Sequence, residues 1–430
     1  MRHRMLVKLA SIAVLAGVLL IPLALLMPVV AERAELRDGA VAEIQRDWGA
    51  AQRVVGPVLV LPLEQGFAYA FPDDLRINGD VVPQERHRGI YSAVVYTARF
   101  AIAGTFHRPT AAELGMPAES IRWDQAYVAL AVSDLRGTGS QVSLRWGTET
   151  RPMQPGSLLV RWPSGLHAPV PVGTEPIQFS LELPVHGSEG VRFAPLGVHS
   201  EVTLRAAWPH PSFAGAFLPE TRDVTDDEFT ATWNVSYYGR DFGQHGRNEL
   251  PAGIDTSLFG VDLMAGIDSY RSVDRAVKYG VLFVVLAFMS WFLFEVIARV
   301  RIHPFQYAMV GLSLGVFFLL LLALAELVPF VAAYSAAAAC TIGLVTTYML
   351  PVMKTGRRTF VASALLAASF AVLYVVLQAE DFALLAGSLV VFVVLGITMQ
   401  LTRRLDWYAD DTQPTSAAAV PDDNAASPRD

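Results

Sequence analysis

Apolar positions along the chain fall into six long runs with a stretch of different texture between the first and the second. The runs cover residues 5–30, 279–298, about 305–326, 329–352, 360–378 and 382–401. Each approaches the roughly 20 residues that a helix needs to span a bilayer's hydrocarbon core. The first exceeds the apolar region of a cleaved signal peptide, about 7–15 residues, so it reads as a retained anchor, although Val29 and Ala31 resemble the small residues before a cleavage site. Residues 31–48 continue in a helical pattern, with Leu36, Val41, Ile44 and Trp48 on one face. From Val54 onward prolines at 57, 62, 72 and 83 punctuate short apolar stretches, and proline breaks helices. Period-two alternation follows at 91–106, 141–146, 177–183, 201–207 and 229–237, separated by turns such as Arg136-Gly137-Thr138-Gly139 and Pro163-Ser164-Gly165. Such spacing predicts a sandwich or barrel, not an α/β domain.

The fold class expected is therefore membrane α-helical, with six transmembrane helices, plus an all-β, sandwich-like extracytoplasmic domain. The expected boundaries are an anchor at 1–30, a β-rich periplasmic domain at 31–278, a five-helix bundle at 279–402 and a disordered cytoplasmic tail at 403–430. Orientation follows from the Lys/Arg bias of short loops. Arg2, Arg4 and Lys8, then Arg299 and Arg301, then Lys354, Arg357 and Arg358, then Arg403 and Arg404 all fall on one side of a six-helix arrangement. The opposite hairpins hold Glu326 and Glu380-Asp381 and no basic residue. That predicts a multi-pass protein of a bacterial inner membrane with both termini cytoplasmic. Arg271, Arg275 and Lys278 break the pattern, which long translocated domains are free to do.

Composition narrows the function. Charged residues make up only 17%, against about 25% in soluble domains. The net charge of −7 and the lack of a basic arm speak against a nucleic-acid partner. Cys340 is the single cysteine, so the outer domain is held by its core and not by disulfides. No two of the seven histidines of the outer domain are spaced to share a metal, and no P-loop, dinucleotide fingerprint or nucleophile elbow is present. Neither a catalytic residue, nor a metal, nor a cofactor is expected. Apart from Lys8 at the start of the first run, the only Asp, Glu, Lys or Arg within the apolar runs are Glu295 and Glu326, both near run ends, with Arg299 one turn beyond Glu295 for pairing. That scarcity disfavours a proton-coupled transporter.

Two strings in the outer domain stand out. Gln84-Glu85-Arg86-His87-Arg88-Gly89-Ile90-Tyr91 clusters charge before the strongest strand. Trp208-Pro209-His210-Pro211-Ser212-Phe213 sets an imidazole between two prolines in a stiff aromatic turn. With Asp134 and Arg136 they define a candidate periplasmic contact site: Glu85, Arg86, Arg88, Asp134, Arg136, Trp208, His210 and Phe213. If these residues meet in one cleft they form a site; if they scatter they are fold signatures.

Several strings together resemble the CreD family of inner-membrane, cell-envelope integrity proteins: Arg88-Gly89-Ile90-Tyr91 with Val95-Tyr96; Asp134-Leu135-Arg136-Gly137; the Trp208–Phe213 string with Phe217-Leu218-Pro219; Phe259-Gly260-Val261; Lys278-Tyr279-Gly280; Phe292-Leu293-Phe294-Glu295; and Ile302-His303-Pro304 with Gln306-Tyr307. The resemblance reaches from the anchor to about Met353. A Ser-Glu-His string that the family tends to carry after the third helix reads Ala325-Glu326-Leu327 here. The resemblance implies a role in envelope integrity, in sensitivity to colicins and cell-wall antibiotics, and a link to two-component regulation; it brings no catalytic residues. The function expected is a non-enzymatic membrane protein whose partners are the lipid bilayer and an envelope protein, lipid or glycan. The alternatives are a transporter or channel for an apolar or amphipathic substrate, and an envelope enzyme with a site near Glu85, His87 or His210.

Overall fold

The computed structural model describes residues 2–138, 141–264, 269–298, 300, 302–379 and 382–403. The expectations placed on Gly139, Arg299, Arg301, Glu380, Asp381 and the tail beyond Arg403 lie outside the described residues. The chain divides into two compact units, Met1–Arg33 with Ser269–Asp430, and Ala34–Asp268. It combines a membrane-helical region with a β-rich domain.

Helix α1 (Arg2–Trp48) continues through Pro22 and Pro28 and ends where the helical pattern of the sequence stops. In the unit Ala34–Asp268, the described residues form two sheets. The nine-stranded sheet runs β13 (Pro211–Gly215), β17 (Phe259–Leu263), β11 (Gly190–Phe193), β1 (Gln52–Pro62), β5 (Tyr127–Val132), β9 (Gly165–Pro169), β8 (Gln154–Pro155). Strands β2 (Phe67–Ala70) and β16 (His245–Arg247) branch from β1. The eight-stranded sheet runs β14 (Thr221–Val224), β15 (Phe229–Ser236), β12 (His199–Ala206), β3 (Asp74–Arg88), β4 (Tyr91–Phe106), β10 (Ile177–Ser188), β6 (Ser143–Trp146), β7 (Glu149–Pro152). All pairings are antiparallel except β1 with β11 and β12 with β3. Two single-turn helices, α2 (Ala111–Leu114) and α3 (Gly253–Thr256), lie in connections.

Alternation explains the eight-stranded sheet. Along β12 and β15 every second side chain is buried, and in β3 Leu75, Ile77 and Val81 are buried while Arg76, Asn78 and Asp80 face out. β3 and β4 form one long hairpin, paired from Asp74 with Thr105 to Arg88 with Tyr91. Gly89 opens the two-residue turn at φ 63°, a backbone conformation for which glycine has no steric penalty. The middle of the other sheet behaves differently. β1 is buried along nearly its whole length, and β5 beyond Tyr127 entirely. A strand covered on both faces needs a continuous apolar run and shows no period. Side chains of both sheets join a single core that includes Trp146, Trp233, Phe100 and Phe193.

In the other unit, α4 (Ser269–Ala298), α5 (Pro304–Ala325), α6 (Phe330–Met353) and α7 (Gly356–Gln378) each hold a segment long and apolar enough to cross a membrane; the apolar part of α8 (Ala383–Thr402) is shorter. The polar stretch before Tyr279 is helical, with Lys278 Nζ 2.6 Å from Asp274 Oδ2 one turn back. α5 starts as its sequence dictates: Pro304 occupies the first turn, His303 Nδ1 accepts from Phe305 N–H at 3.2 Å, and Gln306 Oε1 accepts from His303 N–H at 3.0 Å. This is a reciprocal cap with proline where no N–H is missed. Phe283, Phe317, Phe318 and Phe370 meet ring to ring at the centre, with centroids 4.8–6.2 Å apart.

Candidate functional site

The eight candidate residues do not share one cleft. Four gather at the C-terminal end of α1. Alternation along β3 puts Gln84, Arg86 and Arg88 on one face and Glu85 and His87 on the other. From the first face, Arg86 lies over the Trp48 ring at 4.6 Å, and Arg88 reaches Glu43 at 2.9 Å and Asp47 at 3.7 Å. Asp134 and Arg136 arrive on the loop after β5. Arg136 N–H, Nε and Nη2 all donate to the Asp134 carboxylate, at 2.5–3.0 Å. Arg136 Nη1 then donates to the carbonyl of Arg46. A cation on the last carbonyls of a helix is favourable both as a hydrogen bond and toward the helix dipole. The Arg136 guanidinium holds the Asp134 carboxyl below the usual carboxylate range, against the opposing pull of partial burial.

Further bonds fix the same junction. Trp48 stacks on His186, with centroids 4.8 Å apart, and donates from its indole to Tyr96 O at 3.1 Å. Gln52 Nε2 donates to Asp134 O and His186 O. Tyr96 OH donates to Gly190 O at 2.9 Å, and burial pushes its phenol up. Gly137 has φ 84°, and a Cβ there would meet the His186 ring. The Asp-Leu-Arg-Gly string is thus a clamp on the end of α1, with glycine demanded by both backbone and space.

Glu85 is exposed on the opposite face of β3. Trp208, His210 and Phe213 lie elsewhere. Instead of a turn, the second half of their string is strand β13, paired with β17. Trp208 Nε1 donates to Met264 O at 3.0 Å, and Phe213 sets its edge against Phe229 and Trp233. His210 is exposed, and with Pro211, Leu218, Arg222, Val224 and Met264 it lines a shallow hollow of about 640 Å³. Among the described residues no cluster of His, Cys, Asp or Glu could hold a metal. Arg240 has a local explanation: its guanidinium packs over Phe242 at 4.4 Å and Tyr237 at 5.3 Å and donates to Gln244 Oε1, and burial lowers its pKa to about 10.

A concavity adjoins the clamp. It is an open groove of about 720 Å³ bounded by the last turns of α1, β1, β5 and the loop before β9. Arg46, Arg53, Arg136 and Arg161 line it, with Glu189 as the one lining carboxylate and Val55, Ala131 and Trp162 as apolar wall. Glu189 has φ 61° and accepts from Gln45 Nε2 at 2.9 Å. Of these arginines only Arg136 was singled out by sequence reasoning. The others are more than a hundred residues apart at the extreme, and only the pairing of β1 with β5 and β5 with β9 brings them together.

In the helical unit, Glu295 is buried. Its Oε2 accepts from Tyr307 OH at 2.7 Å, and its Oε1 accepts from Ile302 N–H at 3.1 Å, closing the connection between α4 and α5. The expected partner Arg299 lies outside the described residues. Glu326 lies 3.8 Å from Arg33. Buried Ser313, Thr341, Thr359 and Ser369 each donate to a carbonyl of their own helix.

Comparison with known proteins gives concordant matches. The family model described as "Inner membrane protein CreD" matches residues 4–408. The inner membrane protein CreD of Escherichia coli (strain K12) is 31% identical over 426 residues, which cover 94% of this chain and 93% of that protein.

Proposed function

We propose, from the premise that this chain belongs to the CreD family of inner membrane proteins, that its β-rich unit is a periplasmic binding module through which a non-enzymatic, multi-pass inner-membrane protein supports envelope integrity. The single observation that carries the reading is the open arginine-lined groove beside α1. The neighbouring charged residues are spent in holding the helix, whereas the groove presents polar and apolar surface that no described residue of this unit fills. The hollow at His210 and Phe213 is proposed as a second, weaker contact surface, with Glu85 outside both.

The topology proposed with it has six spanning helices, α1 and α4 to α8, both termini cytoplasmic, and the two sheets stacked as a sandwich. Its support is the four basic clusters that fall on one side, with Arg271, Arg275 and Lys278 as the exception beside the long outer segment. The boundaries proposed remain 1–30, 31–278, 279–402 and 403–430. Buried hydroxyls that bond within their own helices suit a platform more than a polar conduction path.

A photo-crosslinking side chain at Ser164 or Ala51, on the rim of the groove, should capture an envelope component in intact cells. The same probe at Asn78, on the solvent face of β3, should capture none. Equal capture at both, or none at either rim position, rejects the groove as the binding surface. Cells lacking the protein should gain sensitivity to agents that stress the envelope, restored by the intact chain.

A further inference from the structure

We infer that the groove beside α1 recognises a phosphate-bearing anion; this rests on the reading of the groove as the binding surface and gives its ligand a chemical class. Four guanidiniums and one carboxylate, Glu189, line one concavity on a chain whose formal net charge is −7. Two of them are oriented by carboxylates. Arg136 is gripped by Asp134, and Arg161 lies 2.5 Å from Asp255 Oδ2. The other two, Arg46 and Arg53, have no side-chain partner among the described residues. A planar guanidinium matches phosphate oxygens with paired N–H donors, and a preoriented one loses less freedom on binding.

The end of α1 would repel an anion through its free carbonyls. Here that negative end is already answered: the Arg46 carbonyl accepts from Arg136, and the Gly49 carbonyl accepts from Ser188 Oγ at 2.8 Å. These bonds lessen the opposing pull of the helix end on an anion in the groove. A single carboxylate has oxygens for one or two guanidiniums, whereas a phosphate offers three or more. Trp162, under Arg161 at 5.5 Å, with Val55 and Ala131, supplies an apolar wall beside the charges. That suits a phosphate attached to an apolar group, although a free phosphate would use the same arginines.

The test is calorimetric titration of the full-length chain in a non-ionic detergent. The probes are inorganic pyrophosphate and short-chain dihexanoyl phosphatidic acid, with sulfate as the control anion. The expected result is saturable binding of at least one phosphate probe, weakened about ten-fold or more in Arg46→Gln/Arg53→Gln and lessened by added salt. Partial retention in Arg46→Lys/Arg53→Lys would follow from charge without the paired donors. Binding of phosphatidic acid alone assigns a lipid headgroup, and binding of pyrophosphate alone assigns a free phosphate. Binding that the glutamine variant leaves unchanged, sulfate binding as tight as pyrophosphate, or no binding of either probe overturns the phosphate assignment. Both substituted side chains are exposed, and an unchanged unfolding temperature of the variant verifies its fold. Crosslinks from Ser164 that persist when phosphate binding fails would leave the groove as a binding surface and remove only its ligand class.

Discussion

In the β-rich unit Trp146 and Trp233 are buried in a core built from both sheets, and in the helical unit Phe283, Phe317 and Phe370 meet between helices that also face outward with Leu, Val and Phe. The first core is bought with water: each buried ring leaves an aqueous unfolded state, so transfer and packing both contribute. Between lipid-facing helices the surroundings are as apolar as the core, and packing with internal hydrogen bonds is what remains. The polar groups divide in the same way. The β-rich unit sets arginines and carboxylates at its strand ends, in water, where they remain available. The helical unit buries Glu295 and pairs it at once with Tyr307 and a backbone N–H. Polar chemistry open to solvent is therefore concentrated in the first unit.

Five substitutions test that contrast, broadly from the largest effect to the smallest. Trp233→Ala should destabilise the β-rich unit by about 3–5 kcal/mol, seen as protease susceptibility of residues 34–264 at a lower temperature while the helical unit stays protected. Phe317→Ala should destabilise the helical unit by about 1–3 kcal/mol, since the cavity term survives and the transfer term does not; a loss as large as that of Trp233→Ala in thermal unfolding in detergent would break the comparison. Tyr307→Phe should lower helical-unit stability by about 1 kcal/mol, and Glu295→Ala by more, because it strands both the hydroxyl and the Ile302 N–H. Arg88→Ala should change the stability of the β-rich unit by about 0.5 kcal/mol or less, as Arg88 and its partners are substantially exposed, and high salt should erase even that.

The clamp on α1 supplies a pH test. Asp134 has its folded pKa held below the unfolded value, chiefly by hydrogen bonds from Arg136. Its contribution is therefore complete above the unfolded carboxylate pKa and is lost as pH falls through the lower, folded value. Amide exchange at Gln45 to Trp48 should quicken in the acid range below about pH 4. In Asp134→Asn it should already be faster at neutral pH and lose that acid dependence. Unchanged exchange in the variant would mean that Arg136 holds α1 without Asp134.

Much of the architecture was legible wherever one face of an element differs from the other. The bounds of β4 follow from alternation to the residue, and the end of α1 from the spacing of Leu36, Val41, Ile44 and Trp48. β1 and β5 were not separable as strands, because burial on both faces removes the period. The string at Trp208 read as a turn from its prolines, yet Pro211 is the first residue of β13, at the edge of its sheet, where a missing N–H is tolerated. Of the candidate residues, those at 86, 88, 134 and 136 were singled out by local oddity, and they lie around the end of α1. The arginines at 46, 53 and 161 carry no local signature at all. Each is an ordinary surface residue in its own segment, and only long-range strand pairing makes them neighbours.

That same long-range pairing dictates an order of events during synthesis. The β3–β4 hairpin can close as soon as Phe106 is made. The other neighbour of β3, β12, is parallel to it and ends at Ala206, and β11 acquires its outer partner only with β17, at Phe259–Leu263. Until then the nine-stranded sheet lacks β17 and leaves β11 as an open edge, a template for pairing with other chains. A nascent chain arrested before Phe259 should therefore need protection from aggregation. The residues that complete the β-rich unit are made immediately before those that begin α4, so the last strand to be sealed and the next helix to be inserted reach the membrane machinery together.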